Sequence, residues 1–357
     1  MRTELFDFDL PEGLIALRPA QPRESARLLQ VARDGSRSHW RVGDLPSLLA
    51  PGDLLIVNDT WVVRGALKGV RASRAENGAP VALAANLIER ASPSSWLALV
   101  RPAKRLRVGD RVRFGADGRL EAEVAERNEG AVRLAFSLHG EALDQAIEAA
   151  GAAPLPPYIA SRRAADAQDF SDYQTVYADR AIPERSVAAP TAGLHLTLEL
   201  LAALREKRVE IAQITLGVGA GTFLPVKTED TADHPMHSEQ FRIGEAAAEA
   251  YNRARARGSR IVAVGTTALR ALESADWEES RLLPTQKGTD LFITPGYRFR
   301  SIDGVLTNFH LPRSTLFMLV CALQSVEAMQ AAYAEAIRER YRFYSYGDAC
   351  LIWRANG

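Results

Sequence analysis

Apolar residues follow two patterns that divide this chain into two kinds of structure. Short apolar runs at residues 54–57 and 261–264 are typical of strands buried on both faces of a sheet. The first run follows a short helix and a Pro-Gly turn, and the second leads through Gly-Thr-Thr into a helix. These stretches predict an α/β main domain, because apolar strands alternate with helices along the chain.

Residues 62–140 follow the second pattern, in which about six short β-rich runs alternate with turns. The turns contain Glu-Asn-Gly, Ala-Asp-Gly and Asn-Glu-Gly, and runs at this spacing indicate a small β-barrel or a sandwich. Because α/β-type sequence precedes and follows these runs, we predict an inserted domain at 63–150. The main domain is then formed by residues 1–62 and 151–357.

The composition is that of a globular protein with a large core. The 357 residues are 47% hydrophobic and 25% charged, and this length favours two domains. No apolar run is long enough to span a membrane, and the N-terminal residues are unlike a signal peptide. With Cys321 and Cys350 as the only cysteines, we expect a cytoplasmic protein without disulfides. The net charge of zero argues against indiscriminate nucleic-acid binding but allows a local basic surface.

Candidate chemistry is concentrated between residues 173 and 239. Two loops of small residues, 191–193 and 217–222, lie close in sequence to His195, His234 and His237. Small residues let backbone N–H groups approach a ligand, and histidine changes charge near neutral pH. A proline follows the glycine loop where a dinucleotide fold needs a helix. Proline between His234 and His237 argues against a zinc motif, so we expect no metal.

Two other segments are candidates for ligand contacts. Asn58, Asp59 and Thr60 follow the first buried strand, where α/β folds bind ligands, although an Asx-turn or a helix cap explains them equally well. Thr266 or Thr267 is expected to cap a helix whose N-terminal N–H groups form an anion site.

Basic residues are concentrated between positions 101 and 113, where six of them accompany one acid, Asp110. A solvated hairpin and a surface that contacts phosphates explain this run equally well. Arg162 and Arg163 follow a proline-rich connector close to Tyr158, an aromatic residue that could stack on a base.

Several sequence blocks together resemble one protein family, and they occur in the family's order over essentially the whole chain. The most specific are VAAPTAGLH, VGAGTF, DHPMHSE, VAVGTTALRALES and TNFHLPRSTLFMLV. They are similar to blocks of the S-adenosylmethionine:tRNA ribosyltransferase-isomerases of queuosine biosynthesis. The resemblance implies an α/β main domain with a mixed sheet, plus an inserted small all-β barrel domain of about six strands.

The same resemblance implies a transferase reaction in the cytoplasm. The ribosyl part of S-adenosylmethionine is transferred to 7-aminomethyl-7-deazaguanine (preQ1) at the wobble position of tRNA and isomerised. Epoxyqueuosine-tRNA, adenine and methionine are the products. S-adenosylmethionine is thus a consumed co-substrate, and we expect no cofactor and no metal. The expected partners are tRNA and S-adenosylmethionine, without a membrane, and we expect a monomer.

Candidate roles follow from motif position and from the chemistry of this reaction. A proton must leave C5′ beside the sulfonium, adenine must be protonated and the attacking amine must be neutral. Positioned acid–base groups typically contribute about 10²–10⁴-fold each. The predicted catalytic residues are His195, His237, His310, Glu239 and Asp348. The predicted substrate-binding residues are Asn58, Asp59, Thr60, Tyr173, Thr191, Gly193, Gly219, Gly221, Thr222, Gly265, Thr266, Thr267, Arg270 and Asn308. The predicted tRNA contacts are Arg101, Lys104, Arg105, Arg107, Arg162 and Arg163.

The chain departs from the family pattern at a few positions. Gly217 stands where histidine is usual, and Leu196 where phenylalanine is usual. Trp61 and Arg64 replace an arginine and a proline, and Ser186 replaces an alanine. These departures motivate one alternative, a catalytically silent relative that binds tRNA. A second alternative is an S-adenosylmethionine-dependent tRNA methyltransferase-like enzyme, which the missing helix after the glycine loop opposes.

Overall fold

A computed structural model of the protein describes residues 1–75, 78–128, 131–182, 185–219, 226, 228–236 and 238–355. The chain forms two compact units. The first unit consists of Met1–Trp61, Gln174–Glu184 and Ala189–Gly357, and the second of Val62–Tyr173 and Arg185–Ala188. The domain limits predicted from the sequence, with an insert at 63–150, stay a prediction.

Strands and helices alternate along the first unit, whereas the second unit is mainly β-structure. The strands are β1 (Arg27–Val31), β2 (Arg37–Arg41), β3 (Leu54–Asn58), β4 (Ala66–Arg71), β5 (Val81–Ser92), β6 (Ser95–Arg101), β7 (Arg111–Phe114), β8 (Leu120–Arg127), β9 (Val132–Phe136), β10 (Glu210–Leu216), β11 (Glu239–Ile243), β12 (Ile261–Val264), β13 (Trp277–Glu278), β14 (Arg281–Leu282), β15 (Thr285–Thr289), β16 (Gly304–Asn308) and β17 (Ala349–Trp353). The helices are α1 (Leu45–Leu48), α2 (Gly140–Ala150), α3 (Pro157–Ala160), α4 (Gln168–Asp172), α5 (Leu198–Glu206), α6 (Glu245–Ala256), α7 (Thr266–Ser274), α8 (Thr315–Leu323) and α9 (Val326–Arg338).

Nine strands of the first unit form a mixed sheet in the order β15-β11-β10-β3-β12-β16-β17-β1-β2. Strands β10, β3, β12 and β16 are parallel neighbours in this sheet. As the apolar runs predicted, β3 and β12 are buried along their whole length. The carboxyl ends of four adjacent strands therefore meet at one edge of the sheet, which is where α/β folds bind ligands.

Six strands of the second unit close into an antiparallel barrel in the order β4-β5-β6-β9-β8-β7. Burial alternates along β5, whose side chains Val81, Leu83, Ala85 and Leu87 point inward. Closure gives the strands partners on both sides, so the barrel exposes no strand edge. The predicted inserted β-structure is confirmed, and of the two architectures left open by the sequence it is the barrel.

An apolar core packs one face of the main sheet against α5. Leu200, Leu201 and Leu204 from α5 contact a buried cluster that includes Leu55, Val262 and Leu306 from three central strands. In the described residues no single helix is long and apolar enough to cross a membrane, and α8 with α9 would reach that length only across a 113° bend. Cys321 and Cys350 are buried and form no disulfide.

Candidate active site

Loops at the carboxyl ends of the parallel strands line one pocket of the first unit. Six residues predicted from the sequence lie there: Thr191, Gly265, Thr266, Thr267, Asn308 and His310. The pocket also includes residues that the sequence analysis did not select, among them Val218, Thr307, Leu316, Tyr344 and Ser345. The signal for the last two was the run of polar and aromatic residues before the final strand.

A chain of hydrogen bonds connects three of the predicted residues. The Thr191 hydroxyl donates to Asn308 Oδ1 at 2.9 Å, and Asn308 Nδ2 lies 3.2 Å from His195 Nε2. Because an amide nitrogen can only donate, His195 Nε2 accepts this bond, and in the neutral ring the proton is on Nδ1. Asn308 therefore fixes both the orientation and the tautomer of His195.

His195 is buried and is neutral near pH 7. Burial lowers the pKa of its imidazole to about 4, and the charges of Arg342 and Arg23 also lower it, whereas Asp348 raises it. Loss of hydration disfavours the charged ring, and the one carboxylate does not compensate for that loss. The neutral ring thus accepts the hydrogen bond from Asn308 and does not donate a proton as an imidazolium would.

His310 is the predicted catalytic residue that lines the pocket itself. Its Nε2 lies 3.0 Å from the Thr307 hydroxyl, and its backbone N–H donates to the Tyr333 hydroxyl at 3.1 Å. Burial lowers the pKa of the ring to about 3, so His310 is also neutral. Its place in the loop directly after β16 follows from the end of that strand at Asn308.

Helix α7 begins at the pocket and offers uncapped backbone donors. The prediction that Thr266 or Thr267 caps this helix is wrong, because both are helical and the N-cap is Gly265. Gly265 has φ of 94°, a conformation that glycine adopts without strain, and no side chain caps the first turn. The first N–H groups and the positive end of the helix dipole are therefore suited to an anion.

A buried ion pair connects α7 to the glycine loop. Arg270 on α7 forms a hydrogen-bonded ion pair with Glu239, the first residue of β11. The other carboxylate oxygen of Glu239 accepts the Gly219 N–H at 3.0 Å. Arg270 also donates to the Leu291 carbonyl at 3.0 Å. Three predicted site residues are thus brought together, with Glu239 holding the start of the loop.

Asp348 is buried and is occupied by bonds to the protein. It accepts the Arg342 backbone N–H at 2.8 Å and the Arg342 guanidinium at 3.0 Å. It also accepts the Arg27 N–H at 3.2 Å. These bonds tie the loop before β17 to the start of β1, which pairs with β17 in parallel.

Asn58 and Asp59 do not line this pocket. Asn58 bonds to both backbone groups of Leu216, with Nδ2 2.9 Å from the carbonyl oxygen and Oδ1 3.0 Å from the nitrogen, and so ties the ends of β3 and β10 together. Asp59 accepts a bond from the Thr215 hydroxyl at 2.7 Å and lines a second pocket with Asp179. Burial raises the pKa of the Asp59 carboxyl to about 6. Thr60 is fully buried.

Glycine at position 193 allows the loop before His195 to pack closely against Tyr177. A Cβ at this position would lie 2.0 Å from the Tyr177 hydroxyl and 3.0 Å from Thr175 Cγ2. The first distance is too short for a carbon atom and the second is tight, so any larger residue here would force the Tyr177 side chain to shift.

The remaining predicted residues are found in the second unit or outside the described residues. Tyr173 is buried in the second unit, and Arg162 is exposed there. Arg163 forms a bidentate ion pair with the buried Asp169, at 2.7 and 2.5 Å, so it has a structural role. Gly221, Thr222 and His237 lie outside the described residues. The four basic residues of the 101–107 segment, Arg101, Lys104, Arg105 and Arg107, are exposed.

Residues that depart from the family pattern have local partners. Trp61 lies under the Arg180 guanidinium at 4.7 Å, and Arg64 lies over the Phe170 ring at 3.6 Å. Leu196 is buried in the core next to α5. In the described ranges no group of three or more histidine, cysteine, aspartate or glutamate side chains is placed to hold a metal ion.

Substituting Gly193 tests the packing of the loop before His195. We expect Gly193→Ala to lower the free energy of unfolding by about 1–3 kcal/mol, because the added methyl group collides with Tyr177. Denaturant unfolding would measure the change. Gly193→Ala with Tyr177→Phe should recover part of the loss, and Gly13→Ala, where a Cβ meets nothing within 4 Å, is the control. Equal unfolding free energies for Gly193→Ala and Gly13→Ala would contradict this explanation.

Asp59 provides a test of pH dependence. Its folded-state pKa of about 6 lies above the ordinary value of 3.8, so between these values the folded protein holds a proton that the unfolded chain has released. Stability from this group is therefore lost as pH rises through that interval. We expect Asp59→Asn to raise the unfolding free energy near pH 7 by up to about 3 kcal/mol, and to have little effect near pH 4.

Asp290 is an exposed carboxylate that does not line this second pocket, and Asp290→Asn is the control. It should change stability little at either pH. A gain for Asp59→Asn that is the same at both pH values would show that burial of the charge is not its cause.

Comparisons with known proteins point to one family, and the similarity extends over nearly the whole chain. The family described as "Queuosine biosynthesis protein" matches residues 3–352. A curated relative from Rhodopseudomonas palustris (strain TIE-1), named S-adenosylmethionine:tRNA ribosyltransferase-isomerase, is 58% identical over 361 residues and covers 99% of each chain. A relative of the same name from Methylobacterium sp. (strain 4-46) is 56% identical over 366 residues and covers 100% of each chain.

A solved structure is similar as well. The crystal structure of S-adenosylmethionine tRNA ribosyltransferase from Thermotoga maritima is 32% identical in sequence, with a TM-score of 0.53. The similarity covers 98% of this chain and 99% of that one. The predicted fold class, an α/β domain with a mixed sheet and a β-barrel, is confirmed. This chain belongs to the queuosine biosynthesis protein family.

Proposed function

We propose that this protein is an S-adenosylmethionine:tRNA ribosyltransferase-isomerase. It transfers the ribosyl part of S-adenosylmethionine to 7-aminomethyl-7-deazaguanine at the tRNA wobble position and isomerises it, releasing adenine and methionine. The observation that carries the proposal is the full-length identity of 58% to a relative of that name. The family membership does not favour the two alternatives, a methyltransferase-like enzyme and a silent tRNA-binding relative.

The N-terminus of α7 is the proposed site for the carboxylate of the donor's methionine part. Gly265, Thr266 and Thr267 line the pocket, and the first turn of the helix has no side-chain cap. Uncapped N–H groups and the helix dipole both favour a negative charge. The Arg270–Glu239 ion pair holds the glycine loop to this helix, so these two residues are proposed to position the donor site.

The acid–base work is proposed to centre on His310, with His195 in a positioning role. His310 lines the pocket, whereas His195 has its Nε2 committed to Asn308. Burial keeps His310 in the neutral form that can accept the proton from C5′, while its pKa of about 3 makes it a weak base. Glu239 and Asp348 are each paired with arginine, which suits them to support loops more than to exchange protons. The role of His237 stays a prediction.

The tRNA is proposed to contact the basic segment that begins at the end of β6. Lys104, Arg105 and Arg107 are exposed, while Asp110, the one acid of the segment, is buried. Asp110 bonds to the Arg74 guanidinium at 2.7 and 2.5 Å and to the Arg107 N–H at 2.7 Å. Since Arg74 balances the Asp110 charge, the exposed cations present a net positive surface that attracts phosphates.

This positive surface extends across the outer wall of the barrel. Lys68 on β4 and Arg101 on β6 are both strand partners of Ala84 on β5, and all three side chains are exposed. A small residue between two cations leaves room for a nucleic-acid backbone to approach the wall. We further propose that the protein acts in the cytoplasm as a monomer and needs no cofactor beyond the consumed S-adenosylmethionine.

Product analysis with wobble-modified tRNA and ribose-labelled S-adenosylmethionine tests the reaction. We expect the label on tRNA, together with adenine and methionine. His310→Ala should lower adenine release by about 10²–10⁴-fold because the pocket loses its acid–base group. His39→Ala, which removes a partly exposed ring paired with Glu335, is the control. Formation of S-adenosylhomocysteine, or tRNA binding without adenine release, would instead support an alternative function.

Salt dependence tests the proposed tRNA contact. Lys104→Ala, Arg105→Ala and Arg107→Ala in one variant should reduce the slope of log affinity against log salt by about two to three, because each lost phosphate contact lowers it by about 0.7–0.9. Arg119→Ala is the control, since this exposed arginine of the same unit pairs with Asp117. An unchanged slope in the triple variant, or an equal change in the control, would show that the basic segment does not contact tRNA.

A further inference from the structure

The second pocket lies along an open edge of strand β10. On one side, β10 pairs with β3 over residues 210–214. On the other side, β11 pairs with it only at Thr215 and Leu216, and no other strand in the described part of the chain pairs with this edge. Most of β10 therefore has a strand neighbour on one side and a groove on the other.

The backbone groups that face the groove belong to Ile211 and Gln213. The Glu210 N–H donates to Asp53 and the Ile214 carbonyl accepts from Asp59, so even-numbered residues bond toward β3. Successive residues of a strand direct their N–H and C=O groups to opposite edges. Ile211 and Gln213, which both line the groove, thus present two donors and two acceptors at strand spacing.

Small side chains form the wall of the groove, and exposed arginines lie at its rim. Ala247 and Ala250 from α6 are buried in its wall, and such small side chains let another backbone approach closely. Exposed arginines line it from two elements: Arg205 on α5 and Arg253 on α6, with Arg208 between α5 and β10. These positive charges surround the open edge of β10. The side chains of a segment bound along this edge would lie close to them.

We infer that this groove binds an extended acidic segment of a partner protein, which adds to β10 as a short strand. Main-chain bonds to Ile211 and Gln213 would provide affinity, and acidic side chains would pair with the arginines. An RNA backbone fits less well, because it has no N–H groups that alternate with carbonyl oxygens as those of a β-strand do. Asp59 and Asp179 also line this pocket, so the acidic side chains of the bound segment would lie beside the arginines and not beside these two carboxylates.

A labelled peptide of sequence Val-Glu-Val-Glu-Val-Glu tests the inference by fluorescence anisotropy with the full-length protein. We expect saturable binding and slower hydrogen exchange of residues 209–214. Reversing three charges, Arg205→Glu, Arg208→Glu and Arg253→Glu, should weaken binding at least tenfold. The matched control, Arg298→Glu, Arg338→Glu and Arg340→Glu, changes three arginines that do not line the groove and should bind like the parent.

A peptide with alternate N-methylated amides separates strand addition from charge attraction in the unaltered protein. Since the methyl groups remove the donors that a new strand needs, we expect at least tenfold weaker binding for one of the two methylation registers. Three results would overturn the inference: no binding of the parent peptide, equal binding of both methylated peptides and the parent, or displacement of the peptide by an RNA oligonucleotide of equal charge at equal concentration.

Discussion

Parallel pairing of β10, β3, β12 and β16 is the constraint on which the rest of the first unit depends. Because the four strands run in one direction, the loops at their carboxyl ends emerge at one edge of the sheet. The pocket is lined by the start of α7, directly after β12, and by the loop after β16. Asn58 maintains this edge by bonding to both backbone groups of Leu216, as a neighbouring strand would do.

Polar groups at this edge are buried, and each has a hydrogen-bond or ion-pair partner that offsets the free-energy cost of its lost hydration. Asn308 satisfies His195, Thr307 contacts His310, and arginines accompany Glu239 and Asp348. A buried polar group without a partner would destabilise the fold by about 1–3 kcal/mol, so these pairs hold the loops as well as their own side chains. Burial also keeps both histidines neutral, which limits the chemistry that they can perform.

The two sides of β10 illustrate how one strand can serve both fold and binding. Its paired side completes the sheet, and residues beyond its carboxyl end lead to Gly219, which Glu239 holds. Its other side is paired with β11 only at the carboxyl end, where Thr215 bonds to Asp59. The strand thus contributes to the candidate active site at its end and to a separate groove along its length.

Much of the fold could be predicted from local pattern, since buried strands leave apolar runs and barrel strands leave alternating ones. The runs at 54–57 and 261–264 became β3 and β12, and the six short β-rich runs became β4 to β9. The family blocks also located His310, Asn308 and the start of α7, because these positions lie directly at strand ends. Closure into a barrel instead of a sandwich depended on pairing between distant strands, which the residue pattern left open.

Side-chain direction was decided by tertiary structure alone. Asn58 and Asp59 are neighbours in sequence, yet one ties two strands together and the other lines a second pocket. Likewise, Arg163 was expected to contact tRNA but forms an ion pair with Asp169. Gly193 packs closely against Tyr177. The sequence by itself determined which residue types stand at the strand ends and therefore the family chemistry. Their partners, burial and charge states were set by residues up to hundreds of positions away, which no local pattern records.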